Sequence, residues 1–244
     1  MEPMSITGFH SVTLTTPDVT TADAAYRTLF GPAVDAETTT GAVQLISGDA
    51  AGASAVRFTV DDLDASTRLL RRRGLALSDD PAPAVGIHGV TLSIADETRS
   101  EPLSSGAAPV DIVGLDHIVY TTAEPDRAVA TLGARLGLDL RLDQTKFQGM
   151  RQLFFRCGDG FLELLVTAGT EVSSAAPGDE AIWGIAWRSV DLDATHARLT
   201  AAGMPVSEIR DGRKPGTRVC TVRDRALAVP TILIEQSSSP STRD

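Results

Sequence analysis

Cysteine is scarce in this chain. Cys157 and Cys220 are the only two; each sits in an apolar, strand-like run without metal-type spacing, so neither a disulfide framework nor a cysteine metal centre is indicated. Both are expected as reduced, buried thiols. Cations are also in deficit, with 22 Lys and Arg against 32 Asp and Glu and a net charge of -10. That balance excludes nonspecific binding to nucleic acid or to an anionic membrane, because neutralising phosphate requires clustered cations. No apolar stretch approaches transmembrane length, and the opening MEPMSITGFHSV lacks the basic and apolar regions of a secretory signal. A cytoplasmic location is therefore expected.

The apolar material that is present, 42% of 244 residues, comes in short pieces. It suffices for one large core or two modest ones, and domain sizes favour two units of about 100–130 residues. The stretch ADETRSEPLSSGAAPVDIV, 95–113, is rich in Ser, Pro, Gly and charge and separates two segments that each open on an apolar strand signature. The expected organisation is a domain over 1–95, a linker over 96–113, a second domain over 114–236 and a frayed polar tail over 237–244.

An internal repeat is the most informative feature. RFTVDDLDASTRLLRRRGLALSD, from Arg57, matches AWRSVDLDATHARLTAAGMPVSE, from Ala186, without gaps at an offset of 129 (186 minus 57). Asp62, Leu63, Asp64, Ala65, Leu70 and Gly74 recur as Asp191, Leu192, Asp193, Ala194, Leu199 and Gly203. GFHSVTLTT from Gly8 likewise pairs with GLDHIVYTT from Gly114, at an offset of 106 (114 minus 8). The first half is thus 23 residues shorter (129 minus 106) between its first strand and its repeated segment, so a hairpin there is expected to be shortened or absent.

Each repeated piece reads as an apolar strand, an Asp-containing turn able to cap a helix, an amphipathic helix and further strands. Ala128, Val129, Leu132 and Leu136 fall at the three- and four-residue intervals of one buried helical face. Strands follow at 138–143, 150–157 and 161–166, and the pattern restarts at Ile182. A helix over 194–202 ends at Gly203, suited to the left-handed position after a helix, and short strands are expected at 205–210, 217–222 and 231–235.

A strand, a helix and three strands, repeated, resembles the vicinal oxygen chelate superfamily of glyoxalases, bleomycin-resistance proteins, epimerases and extradiol dioxygenases. The segments that carry the resemblance are GLDHIVYTT, GFLELLV, VDLDATHARLTAAG with its partner VDDLDASTRLLRRRG, and PTILIEQ; together they span nearly the whole chain. The resemblance implies an α+β fold of tandem βαβββ modules forming two cupped, mostly antiparallel sheet domains. It also implies a metal position built from four strands, which in the C-terminal half map to His117, Glu163, Gly184 and Glu235. His117, Glu163 and Glu235 could hold one divalent metal (Zn, Fe, Mn, Ni or Co) and leave a position open; Gly184 cannot contribute.

Period-2 alternation places Glu163 between Phe161 and Leu165 on one strand face, with Leu162, Leu164 and Val166 on the other. A carboxylate so surrounded is expected to be paired, metal-bound or protonated. The competing readings are a hydrogen-bonded structural histidine for His117, and ion pairs with Arg151 or Arg188 for the two glutamates. The same positions in the N-terminal half are Ser11, Gln44, Ala55 and Ser93, which are not a metal-ligand set. His10 aligns with Asp116 and is expected to face away from the cup; His88 and His196 read as solvated or packing residues.

For substrate contacts, Gly184, Ala186 and Arg188 are expected on the inward face of their strand, opposite Trp183, Ile185 and Trp187. Small residues there enlarge a pocket, and Arg188 offers a planar cationic fork to an anionic group. IRDGRKPGTR brings Arg210, Arg213, Lys214 and Arg218 into one loop, as a clamp over the cup or simply a solvated hairpin. Lys146, Gln148 and Arg151 are weaker candidates of the same kind.

The leading functional expectation is an isomerase, epimerase or lyase that moves a proton next to a carbonyl. Glu163 or Glu235 would act as base, His117 would bind metal or donate to the developing enolate, and Arg188 would hold an anionic substrate. The alternative is a metal-free protein that sequesters a ligand or drug, as bleomycin-resistance relatives do. A ring-cleaving dioxygenase is disfavoured because a second histidine is missing. The expected partner is a small molecule, with the chain as monomer or homodimer.

Overall fold

The computed structural model describes residues 6–31, 43–77, 84–87, 90–96, 111–147, 149–167 and 181–236. Two sheets organise them. The N-terminal half runs β1 (Ile6–Thr16), α1 (Val19–Phe30), β2 (Val43–Ser47), β3 (Gly52–Val60), α2 (Leu63–Arg72), β4 (Ala84–Ile87) and β5 (Val90–Asp96), with sheet order β2-β1-β3-β5-β4. The C-terminal half runs β6 (Ile112–Thr122), α3 (Pro125–Val129, continued by a π-helical turn Ala130–Arg135), β7 (Asp139–Phe147), β8 (Met150–Cys157) and β9 (Gly160–Val166). It then continues with β10 (Ala181–Ser189), α4 (Leu192–Ala201), β11 (Arg210–Asp211), β12 (Thr217–Val222) and β13 (Thr231–Gln236). Its sheet order is β11-β12-β13-β10-β6-β9-β8-β7.

The duplication read from the sequence is visible in the pairing. Parallel β6–β9 and β10–β13 flank the central antiparallel β6–β10 pair, as parallel β1–β2 and β3–β5 flank antiparallel β1–β3. β2 alone stands where the larger half has β9, and the β7–β8 hairpin has no counterpart among the described residues, in line with the 23 missing positions. The caps repeat too. Asp18, Asp62 and Asp191 accept from the backbone N–H of Thr21, Ala65 and Ala194 at 2.9, 2.8 and 2.9 Å, satisfying N–H groups that a helix start leaves open.

Several boundaries differ from expectation. The strand expected at 205–210 is reduced to Arg210–Asp211 with an isolated bridge from Val206 to Val222. The Pro205 carbonyl is taken instead by the N–H of Arg223 at 2.7 Å. In α3 the expected apolar stripe is buried at Ala128, Leu132 and Leu136, but the turn widens so that Leu136 N–H reaches Thr131 O. β6 begins at Ile112, inside the expected linker; residues 97–110 and the expected tail 237–244 lie outside the described residues.

Each sheet has one packed and one open face. Val12, Leu14, Val56, Phe58, Leu92 and Ile94 of the N-terminal sheet share a continuous core with Ile118, Tyr120, Phe155, Leu162, Trp187 and Leu233 of the C-terminal sheet. Helix α1 crosses between the halves: Phe30 meets Trp187 edge-on, ring centroids 4.8 Å apart, and the Tyr26 hydroxyl donates to Leu227 O at 2.9 Å. Arg198 of α4 fastens the same seam, donating twice to Asp111 at 2.7 and 2.9 Å and to Thr28 O and Leu29 O at 2.8 Å each. Cys157 and Cys220 are free and buried; burial pushes the Cys220 thiol up to about 11, so both are inert as nucleophiles near neutrality. Among the described residues no helix is long and apolar enough to cross a membrane.

Candidate functional site

The decisive local feature is a bulge in β6. Ala186 pairs with His117, but the next residue, Trp187, pairs with Leu115, which leaves Asp116 as an extra residue. Ile118 lies in the core and Leu115 packs against it, so Asp116 and His117 both emerge on the open face of the sheet. A bulge re-aims a side chain in this way at the expense of one unpaired backbone step.

Asp116 is 4% exposed and collects three donors. His117 Nδ1 lies 2.9 Å from its Oδ2, Arg188 Nε donates to Oδ1 at 3.4 Å, and Gln236 Nε2 donates to Oδ1 at 3.2 Å. Burial by itself would raise this carboxyl, yet the hydrogen bond and charge of His117, the Arg188 guanidinium and Gln236 together hold it below the ordinary carboxylate range. The anion fixes the His117 tautomer: Nδ1 carries the hydrogen that faces Asp116, and Nε2 is left as the outward nitrogen. Arg188 is further held by Asp159 O, 3.0 Å from Nη2, and Lys214 Nζ reaches Gln236 Oε1 at 3.4 Å.

Glu163 shares the open face. In register it lies beside Val119, two residues along β6 from His117, a diagonal relation with about 7–8 Å between Cα atoms. It is half-buried and is paired with neither Arg151 nor Arg188; the buried amide of Gln152 donates to its Oε1. Beside Glu163 and further along the strands from His117 lies an apolar floor of Val119, Met150 and Leu165 with Trp183 packed against it. Trp183 reaches that floor through a second bulge, between Ile182 and Gly184, and so faces the cup rather than away from it as expected.

Other expected site residues are elsewhere. Glu235 follows Ile232 and Ile234, which belong to the open face with Ala186 and Val219, and alternates with Leu233, which lies in the core; its side chain is therefore on the packed side of the sheet. There it accepts from Leu192 N–H at the start of α4 at 3.0 Å and from Arg218 Nε at 2.8 Å. Arg218 bonds Asp193 as well, at 2.8 Å. Glu235 is thus engaged as a helix-capping carboxylate, away from His117 and Glu163. Arg151 alternates with Gln152 onto the packed side and is bidentate to Asp143 at 2.9 and 2.7 Å. Arg213 is exposed on the β11–β12 turn, and Lys214 of that loop is bonded to the polar centre through Gln236.

Gly184 does not widen a pocket: a Cβ there would lie 3.0 Å from Pro230 O, so the glycine permits close backbone approach. His196 packs, its Nε2 3.1 Å from Ser207 O. His88, Gln148 and the side chain of Lys146 lie outside the described residues. Asp116, Gln236 and Gln152 were not singled out from the sequence. For Asp116 a signal existed: two successive polar residues, Asp116-His117, inside an apolar strand break period-2 alternation, as a bulge does.

The three-residue ligand set read from the sequence is therefore not assembled. Among the described residues no three His, Cys, Asp or Glu side chains cluster as metal ligands: Glu235 is on the far side, Asp116 is committed to Arg188, and Gly184 has no donor. His117 and Glu163 are what remain.

Residues 116–221 match the Glyoxalase/Bleomycin resistance protein/Dioxygenase superfamily. No curated protein matches the chain in sequence. Among solved structures, the chain is similar to a Mn(II)-bound glyoxalase from Novosphingobium aromaticivorans, at TM-score 0.69 and 15% identity over 96% of this chain and 83% of that one. It is similar to a halotolerant catechol dioxygenase at TM-score 0.73 and 10% identity, covering 98% and 90%. It is also similar to a 2,2',3-trihydroxybiphenyl 1,2-dioxygenase from Sphingomonas wittichii at TM-score 0.68 and 14% identity, covering 95% and 91%. The vicinal oxygen chelate resemblance thus holds, and the fold of the chain is the glyoxalase type. A metal occurs within this fold, in the Mn(II)-bound glyoxalase, while among the described residues here no three His, Cys, Asp or Glu side chains cluster.

Proposed function

We propose that this glyoxalase-type chain is an enzyme that moves a proton on a carbon next to a carbonyl, with His117 as the proton carrier on the open face of the C-terminal sheet. One observation carries the reading: His117 Nδ1 is held at 2.9 Å by a buried carboxylate, Asp116, itself kept ionised by Arg188 and Gln236. A carboxylate behind an imidazole orients the ring and stabilises the imidazolium that forms when Nε2 accepts a proton. Arg188 and Lys214 supply positive charge at the same end of the cup, where charge develops on the substrate oxygen or where an anionic substituent sits. Val119, Met150, Leu165 and Trp183 offer an apolar floor to the rest of the molecule. Glu163, beside that floor and diagonal to His117 across β6 and β9, provides a second proton-carrying group, as exchange of a proton between two faces of one carbon requires. No step here depends on a metal.

The test is solvent exchange at carbon. A panel of anionic carbonyl compounds with an acidic α-C–H is incubated with the protein in D2O, and loss of the α-proton signal is followed by NMR. At least one compound should exchange, and His117→Gln should slow it by about 10²–10⁴-fold, the range for a lost general base. Saturable binding of the panel with no exchange in any member would replace this reading with the ligand-sequestering one.

A further inference from the structure

We infer that the open face of the N-terminal sheet carries a second small-molecule site, which binds an oxyanion through Arg57, His10 and the hydroxyls of Ser11 and Ser93. The site does not depend on the chemistry of the C-terminal cup.

The argument begins with the bulge, which the duplication has kept. Phe9 pairs with Phe58 and Ser11 with Arg57, leaving His10 as the extra residue. Val12 lies in the core and Phe9 packs against it, so His10 and Ser11 both emerge on the opposite, open face, as Asp116 and His117 do in the other half. This overturns the expectation that His10 turns away. Arg57 also pairs with Ser93 across parallel β5, so Ser11, Arg57 and Ser93 form one row across the three central strands of the sheet.

The charge inventory differs between the two bulges. In the C-terminal half the extra residue is a carboxylate, and it pairs with Arg188 at 3.4 Å. In the N-terminal half the extra residue is His10, and Arg57 occupies the position of Ala186 in the repeat. Arg57 is only half-exposed at most, and its one hydrogen bond among the described residues is from Nε to Ser93 Oγ at 3.3 Å; no carboxylate there pairs with it. Ser11 and Ser93 are 1% and 7% exposed. His10 has a buried Nδ1 with no partner, and its affinity for a proton is lowered first by burial and then by the charge of Arg57. The nearest acidic residue along β5 is Asp96, at the strand end and paired in register with Val60 rather than with Arg57.

A guanidinium, an imidazole and two hydroxyls on one face, without an anion, are a donor set awaiting acceptors. The planar fork of Arg57 matches two oxygens of a phosphate or carboxylate, and the serine hydroxyls can donate to a third. The ligand class is therefore a small oxyanion or a metabolite that ends in one.

The experiment is an NMR titration of the full chain with inorganic phosphate, and separately with acetate, at ionic strength held constant with chloride. The four histidines of the chain make the His10 ring signal assignable, and Arg57 Nε is followed in parallel. A saturable shift of both signals is expected with at least one probe, and which probe saturates first distinguishes a phosphate from a carboxylate ligand. Arg57→Gln should weaken binding by about tenfold or more, as loss of hydrogen bonds to a charged group implies. Arg57→Lys should weaken it less, and Arg188→Gln should leave it unchanged. Linear shifts that chloride reproduces, an adventitious ion only, would overturn the inference, as would shifts that survive Arg57→Gln. Should Arg57→Gln not fold, Arg57→Lys and Ser93→Ala decide: unaltered phosphate affinity in both refutes the site.

Discussion

Asp116→Asn isolates the electrostatic part of the polar centre, because it preserves shape and removes charge. In the native protein both carboxylate oxygens accept, Oδ2 facing His117 Nδ1 at 2.9 Å and Oδ1 facing Arg188 and Gln236 at 3.4 and 3.2 Å. An asparagine keeps one acceptor. If its oxygen faces His117, its NH2 confronts two donors; if it faces Arg188 and Gln236, its NH2 confronts one ring nitrogen. The second arrangement satisfies more groups, and it turns His117 Nδ1 into an acceptor and moves the ring hydrogen to Nε2. The nitrogen that must accept a proton is then already protonated. Proton transfer should fall by about 10²–10⁴-fold, or about 2.7–5.4 kcal/mol at 1.36 kcal/mol per decade. Stability should fall by about 1–3 kcal/mol, because Arg188 loses a charged partner in a half-buried place. The direct assay is the 15N shift pattern of the His117 ring, which separates the two tautomers without any substrate. An unchanged pattern in Asp116→Asn, or α-proton exchange within threefold of the parent, would refute the tautomer argument.

Glu235→Gln should leave proton exchange within about twofold of the parent while lowering stability by about 1 kcal/mol, through a weaker bond to the α4 N-terminus and to Arg218; a collapse of exchange in a folded variant would return Glu235 to the catalytic centre. Arg198→Met keeps the aliphatic stem but removes both bonds to Asp111 and both to the end of α1. With both side chains mostly buried, the loss should be about 2–3 kcal/mol, reduced from the fully buried range by residual solvent, and Tm should drop by about 4–12 °C. The acid limb of stability should depend on Asp116. Its folded pKa lies below the ordinary value of 3.8, so its contribution is complete above the unfolded pKa and is lost as pH falls through the folded one. Denaturant titrations from pH 5 downward should show a shallower acid loss in Asp116→Asn than in the parent.

The duplicated arrangement was legible in the chain because it rests on local, periodic signals. The repeated Asp before each helix works as a cap wherever it occurs, the period-2 runs make strands in any sheet, and the 23-residue deficit between Gly8 and Arg57 predicted a missing hairpin from length alone. His117 and Glu163 could be placed on one face because simple alternation holds in β9 and because β6 and β9 pair in parallel. Glu235 could not be placed by the same means. Its strand is short, and whether an odd or an even residue faces the cup depends on the partner strands, which set that Ile232 lies beside Ala186.

Three bulges account for most of the remaining differences. One extra residue in β6 moves Asp116 into the cup, one in β10 turns Trp183 onto its floor, and one in β1 brings His10 beside Arg57. A bulge reverses the face of a side chain at one step and leaves the alternation on either side of it intact. The sequence by itself therefore determined the modules, their caps, their number and the histidine most worth attention. Only the tertiary structure decided which neighbours face each other across the sheet, because strand register is a property of pairs of strands, and a single inserted residue shifts it.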